Sequence, residues 1–153
     1  MHKLDDPMIE QLDSAVAEVF ESMLGMTCCP VEPETRFIPN LAVTIGFTGR
    51  IEGRCRIGLS HDAARTLMEA LVGSEPDCAD SMIDDAAGEL CNMIVGSWKS
   101  QLPPAQAAAL LSLPVTSHEL TGSLDDGPPP PLKRLYNFNG NLLAMALRVE
   151  SAT

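Results

Sequence analysis

The segment Asp84-Asp-Ala-Ala-Gly-Glu-Leu-Cys-Asn-Met-Ile-Val-Gly-Ser-Trp-Lys99 holds the grouping of polar side chains with the most chemical promise in the chain. On a helical wheel at about 100° per residue, Asp85, Glu89, Asn92, Gly96 and Lys99 fall within an arc of about 80°. Ile83, Ala87, Leu90 and Ile94 gather on the other side, flanked by Ala86, Met93 and Trp98. A carboxylate and a carboxamide therefore stand one turn apart on an outward face. Asn competes for backbone hydrogen bonds in mid-helix, where Lys, Glu or Gln would be the ordinary choice. Gly88 and Gly96 each weaken the helix by ~1 kcal/mol relative to Ala. Glycines inside a helix permit close approach of another backbone, and a narrow edge with two projecting polar groups can enter another protein's cleft. The same residues are compatible with plain surface, and the glycines with packing against a neighbouring element. Periodicity alone specifies no reaction.

The elements that must position this helix are legible on either side of it. Asp6 and Pro7 suit the start of a first helix, whose apolar residues Ile9, Leu12, Val16, Val19, Phe20, Met23 and Leu24 follow a 3.6-residue rhythm up to Gly25. Thr27 to Asn40 contains Pro30, Pro33 and Pro39 and reads as a connection with a short strand near Phe37. Leu41, Val43, Ile45 and Phe47 then alternate, as do Ile51, Cys55, Ile57 and Leu59 after the turn at Gly49, which predicts a β-hairpin with one wet face. Gly53 and Gly58 mark a bulge or a close contact in its second strand. Ser60 caps a second helix with Leu67, Met68 and Leu71 as its buried stripe, closed by Gly73. The third helix, about Ala79 to Gln101, is stopped by Pro103-Pro104. A helical turn within Ala105 to Leu111, a strand over Leu111 to Glu119 and an exposed proline-rich loop from Thr121 to Pro131 follow. Asn139-Gly140 is a type I′ hairpin signal between Leu132–Phe138 and Asn141–Val149. The last strand is apolar on both faces over Leu142 to Leu147, which suggests a partner chain against the sheet. Long helices on a largely antiparallel sheet make a single α+β domain over residues 1–153.

Composition narrows the function classes. A net charge of −11 disfavours nucleic acid and anionic membranes, both polyanions. No apolar run approaches the ~18 residues needed to cross a bilayer, and no secretory signal is visible at the N-terminus, so a cytoplasmic location is expected. Cys28, Cys29, Cys55, Cys78 and Cys91 lack CxxC spacing; the last three read as small core residues, and a cysteine-based redox protein is a weak reading. His2, His61 and His118 are scattered without ligand spacing, which points to surface or capping roles rather than metal.

Asp85-x3-Glu89-x2-Asn92 resembles the (Asp/Ser)-x3-Glu-x2-Asn signature of the CheC/CheX/FliY chemotaxis phosphatases. The run Gly88-Glu-Leu-Cys-Asn-Met-Ile-Val-Gly96, the first helix ending Phe20-Glu-Ser-Met-Leu-Gly25, the hairpin around Gly49 and Gly53, Leu113-Pro114 before a strand and the Gly140 hairpin carry the resemblance over nearly the whole chain. It implies a CheC-like fold and dephosphorylation of a CheY-like receiver domain at its phospho-aspartate. Asn92 would orient the attacking water, Glu89 would pair with the receiver's active-site lysine, and Asp85 would support the site. No cofactor is expected on this chain; Mg²⁺ would belong to the partner receiver. Some family members carry a second centre on the first helix. Here Ser14-x3-Glu18 is followed by Glu21, and Asp6-x3-Glu10 by Asp13, so one centre per chain is expected, as in the CheX branch, whose members form homodimers. Two departures are Ser97 where Asn is frequent and the proline-rich loop. The resemblance leaves a second possibility, a non-catalytic receiver-binding module like those of flagellar switches.

Overall fold

The computed structural model describes residues 5–32, 35–73, 80–118 and 131–152. Helix α1 (Asp5–Val19) begins one residue ahead of the expected cap and runs into a π-helical turn, Phe20–Leu24. Gly25 closes it at φ 66°, a conformation that an L side chain rarely adopts. Strand β1 (Cys28–Pro30) follows, earlier than the strand expected near Phe37. Strands β2 (Leu41–Thr48) and β3 (Ile51–Leu59) form the expected hairpin, with Leu41, Val43, Ile45 and Phe47 all buried. The register shifts between Glu52 and Gly53, where a Cβ would collide with the Arg148 carbonyl. This is the bulge that the strand glycine marked.

Helix α2 (His61–Val72) starts at Ser60, whose hydroxyl accepts from the Ala63 N–H at 3.0 Å, and ends at Gly73. Helix α3 (Asp80–Ser100) is the long one, and α4 (Pro104–Ala107) is a single turn. The expected strand over 111–119 is two short ones, β4 (Leu110–Leu111) and β5 (Val115–Ser117). The proline-rich stretch from Thr121 to Pro130 lies outside the described residues. Strands β6 (Leu132–Phe138) and β7 (Asn141–Ala152) close the chain through Asn139 (φ 50°) and Gly140 (φ 82°), both positive as a type I′ turn requires.

The described strands form one antiparallel sheet in the order β1-β6-β7-β3-β2-β4, with β5 also on β2. Helices α1, α2 and α3 supply the apolar cover: Leu12, Val16 and Phe20, then Leu67 and Met68, then Leu90, Ile94 and Trp98 pack onto Ile45, Ile57, Phe138 and Met145. Phe20 meets Phe138 at 4.9 Å and Phe47 meets Trp98 at 5.4 Å between ring centres. Strand β7 lies between β6 and β3, deep in the sheet. Leu143, Met145 and Leu147 face the helices, while Ala146 joins Ala42 and Ala144 on the other side. Its two-faced apolar pattern is thus accounted for inside one chain.

Candidate functional site

Helix α3 is fixed on its buried side by the core and on its flanks by four local ties. Asp84 Oδ2 lies 2.9 Å from His118 Nε2, and the His118 ring stacks on His61 with 5.6 Å between centres. Pro114 occupies the space over Gly88, where a Cβ would stand 3.2 Å from the proline Cβ. The Ser97 hydroxyl donates to Glu18 Oε2 of α1 at 3.4 Å. Lys99 Nζ donates to the Ala109 carbonyl at 2.6 Å. These contacts reach α1, Ala109 just beyond α4 and the residues on either side of β5, with α2 joined through His61, so the helix is held from several directions.

Asp85, Glu89 and Asn92 remain on the outward side, and all three are exposed. Among the described residues, neither Glu89 nor Asn92 has a hydrogen bond or an ion pair to its side chain. Gly96, one turn beyond Asn92, faces open space, with nothing within 4 Å of where a Cβ would be. The two helix glycines therefore differ: Gly88 admits a neighbouring loop, and Gly96 leaves a gap beside the carboxamide. Lys99, assigned to the same face by the wheel, is instead turned onto Ala109. Toward the start of α3, Asp85 and Glu89 form one side of an open groove of about 460 Å³, whose remaining walls are Met68, Leu71 and Val72 of α2 with Met82 and Ala86.

The first helix offers no comparable arrangement. Glu18 accepts from Ser97, and Asp13 turns to the sheet, accepting from Arg134 Nη2 at 2.7 Å, Arg134 Nε at 3.1 Å and the Tyr136 hydroxyl at 2.7 Å. The Asp13 contacts lift the Arg134 guanidinium above its ordinary value, the hydrogen bond contributing most. Ser97, a departure from the usual pattern, thus has a job between α3 and α1.

Two of the buried thiols, Cys28 and Cys91, are poor nucleophiles. Burial, helped by Cys29 and Asp13, pushes the Cys28 thiol up to about 12. Cys91 is raised by its hydrogen bond with Cys55 and by burial, and both are core residues as expected. Cys78 lies outside the described residues. The histidines are less scattered than their spacing suggests, since the fold stacks His61 on His118. Among the described residues no cluster of three or more His, Cys, Asp or Glu could hold a metal ion. Among the same residues, no helix is long and apolar enough to cross a membrane.

An antiparallel sheet under three helices, the last presenting Glu89 and Asn92 outward, defines a CheC-like α+β domain. The family model of the chemotaxis phosphatase CheX matches residues 41–125, more than half of the chain and all of α3, and the chain belongs to that family. The fold agrees with it. The crystal structure of the chemotaxis protein CheX from Vibrio vulnificus is 17% identical, with a TM-score of 0.77 over 94% of this chain and 96% of that one. CheX from Desulfovibrio desulfuricans is 17% identical at a TM-score of 0.77 over 94% and 99%. The CheX chain of a CheX–CheY–BeF3–Mg complex from Borrelia burgdorferi is 18% identical at 0.67 over 93% and 97%. No curated protein matches the chain.

Proposed function

We propose that this protein accelerates hydrolysis of the phospho-aspartate of a CheY-like response regulator. The observation that carries the reading is the pairing of Glu89 and Asn92, exposed and without side-chain partners among the described residues, on a helix anchored on its other sides. Their residue types and spacing resemble the family's signature as read in the sequence, the chain belongs to the CheX family, and a relative is seen in a complex of CheX with CheY, BeF3 and Mg²⁺.

An acyl phosphate is already reactive, so the phosphatase has to place a water in line rather than generate a strong nucleophile. The Asn92 carboxamide accepts from that water with its oxygen or donates to it through its N–H groups, and so fixes its direction. Water attacks the phosphorus, the bond from phosphorus to the aspartyl oxygen breaks, and the aspartate leaves as a carboxylate. The water's proton ends on inorganic phosphate. Glu89 pairs with the receiver's active-site lysine, a charge-assisted contact that exists only in the complex. Asp85 stands one turn before Glu89 and supports the docking face. Mg²⁺ is held by the receiver, and this chain contributes no cofactor. The reaction belongs in the cytoplasm, where response regulators act. A homodimer is the proposed assembly, with apolar Leu110, Leu113 and Val115, which are 75%, 85% and 65% exposed around β4 and β5, as its candidate edge.

The test follows phosphate loss from an Mg²⁺-loaded, phosphorylated receiver of the same organism, with and without the protein. Acceleration that falls by on the order of 10²-fold in Asn92→Ala supports the reading, since losing one positioned polar group costs about that much. Glu89→Ala should chiefly weaken binding. Full activity in Asn92→Ala removes the assigned mechanism. Tight binding without acceleration would make the protein a docking module.

A further inference from the structure

The groove between α2 and α3 has no part in the chemistry described above. It is nonetheless continuous with it, because Glu89 belongs both to its rim and to the proposed catalytic face. Its volume of about 460 Å³ is many times one water's share of ~30 Å³, so it admits whole side chains. Its floor and far wall are Met68, Leu71, Val72 and Met82, and its near rim is Asp85 and Glu89. Val72 is 59% exposed, which leaves an apolar side chain open to solvent on the groove wall. Methionines adapt to an irregular occupant better than branched residues do. Among the described residues the charged lining is carboxylate alone, Asp85 and Glu89, in a chain of net charge −11. That combination fits an apolar side chain standing next to a basic one.

We infer that the groove seats an apolar side chain of the receiver's own surface, with Asp85 pairing a lysine or arginine beside it, so that groove and rim select which receiver is dephosphorylated. The inference rests on the proposed function, since Glu89 can engage groove and acyl-phosphate site together only if both belong to one docked body. It gives Asp85 a role distinct from that of Asn92: recognition of the partner rather than placement of water. Charge across the rim contributes to specificity and association rate more than to bulk affinity, while the apolar anchor supplies the affinity.

The experiment uses the full chain and an Mg²⁺- and beryllofluoride-loaded CheY-like receiver of the same organism for binding, and the phosphorylated form for turnover. Val72→Asp places a charge in the groove at an exposed position, so it should melt like the parent. Asp85→Lys reverses the rim. Each should raise Kd and KM at least tenfold while the rate at saturating receiver falls less than threefold, and Val72→Leu should restore the parent's Kd. Asn92→Ala should show the opposite split, with kcat lost and Kd kept. If the parent accelerates dephosphorylation and both Val72→Asp and Asp85→Lys bind like the parent, the groove assignment is wrong and the phosphatase reading stands. If Val72→Asp turns a dimer into a monomer with receiver binding unchanged, the groove is a surface between copies of this chain and the assignment is likewise wrong. A parent that neither binds nor dephosphorylates the receivers removes both.

Discussion

Asp13 ties α1 to the sheet, and its worth follows from what it holds. It accepts three hydrogen bonds, two from the Arg134 fork and one from Tyr136. They join α1 to β6. Tyr136 is 1% exposed and Asp13 26% at its side chain, so Asp13→Ala removes the hydroxyl's acceptor where water reaches it only in part, a penalty of about 1–3 kcal/mol. Arg134 is 20% exposed at its side chain and regains part of its solvation by reaching outward, which limits its loss to about 1 kcal/mol. The sum is about 3 kcal/mol, equivalent to a drop in Tm of about 6–12 °C at this chain length. Tyr136→Phe should cost less, about 1 kcal/mol, because Asp13 keeps Arg134. Urea unfolding of the two single variants and the double variant would give a coupling of about 1–2 kcal/mol between positions 13 and 136. Burial, and then the hydrogen bond to Asp13, raise the Tyr136 hydroxyl above its ordinary value of 10. The folded state holds that proton more tightly than the unfolded chain. Its contribution is therefore whole below pH 10 and declines as pH rises beyond it, and Tyr136→Phe should flatten that part of the profile. A loss under 1 kcal/mol in Asp13→Ala, or additive single variants, would refute the network as a joint between α1 and the sheet.

Gly96 has open space where a side chain would project, so Gly96→Ala should stabilise the protein by up to ~1 kcal/mol, read as a higher urea midpoint with an unchanged slope. Gly96→Trp should keep the fold but block the gap beside Asn92 and lower kcat/KM on the phosphorylated receiver at least tenfold; undiminished activity would show that the gap is irrelevant to docking. Among the described cysteines, native protein at pH 8 should react rapidly with a thiol reagent at exposed Cys29 only, leaving Cys28, Cys55 and Cys91 until it unfolds. Peptide mapping after brief labelling checks this, and fast labelling of Cys28 would contradict its burial.

Much of this architecture is legible in the chain because the signals are local. The 3.6-residue rhythm of α3 and the awkward placement of Asn92 on its polar side identify the face that the fold leaves open. Alternation from Leu41 to Leu59 and the Asn139-Gly140 turn identify both hairpins. What escaped the reading depends on distant partners. Phe37 and Ile38 look like strand residues, yet that stretch carries Pro39, which packs over Gly58, while the strand itself lies at Cys28–Pro30 because β6 is there to pair with it. The strand expected over 111–119 is divided because Ser112 exchanges hydrogen bonds with Gly46 through both its backbone N–H and its hydroxyl, and Pro114 cannot donate to a ladder. Strand β7 is apolar on both faces because it is interior to the sheet, a position that pairing alone reveals. His61 and His118 are far apart in the chain, and nothing in their spacing announces that they stack beside Asp84.

The unobvious contacts and the functional face are connected. On the proposed function, α3 presents two polar groups to a receiver, and a helix with that task needs its own backbone fixed, since ordering it on binding would consume affinity. Here Asp84 with His118, Pro114 over Gly88, Ser97 with Glu18 and Lys99 with Ala109 restrain α3 from both flanks along most of its length. Each involves a residue of α3 adjacent in sequence to a member of the outward set or about a turn from one: Asp84 precedes Asp85, Gly88 precedes Glu89, Ser97 follows Gly96 and Lys99 lies a turn beyond it. The consecutive residues divide by direction, one turned in to hold the helix and its neighbour turned out to solvent. Ser97 illustrates the economy of that arrangement. Its hydroxyl also occupies Glu18, the α1 carboxylate at the Glu position of a would-be second motif, so the tie that steadies one face engages a side chain that a second face would need free.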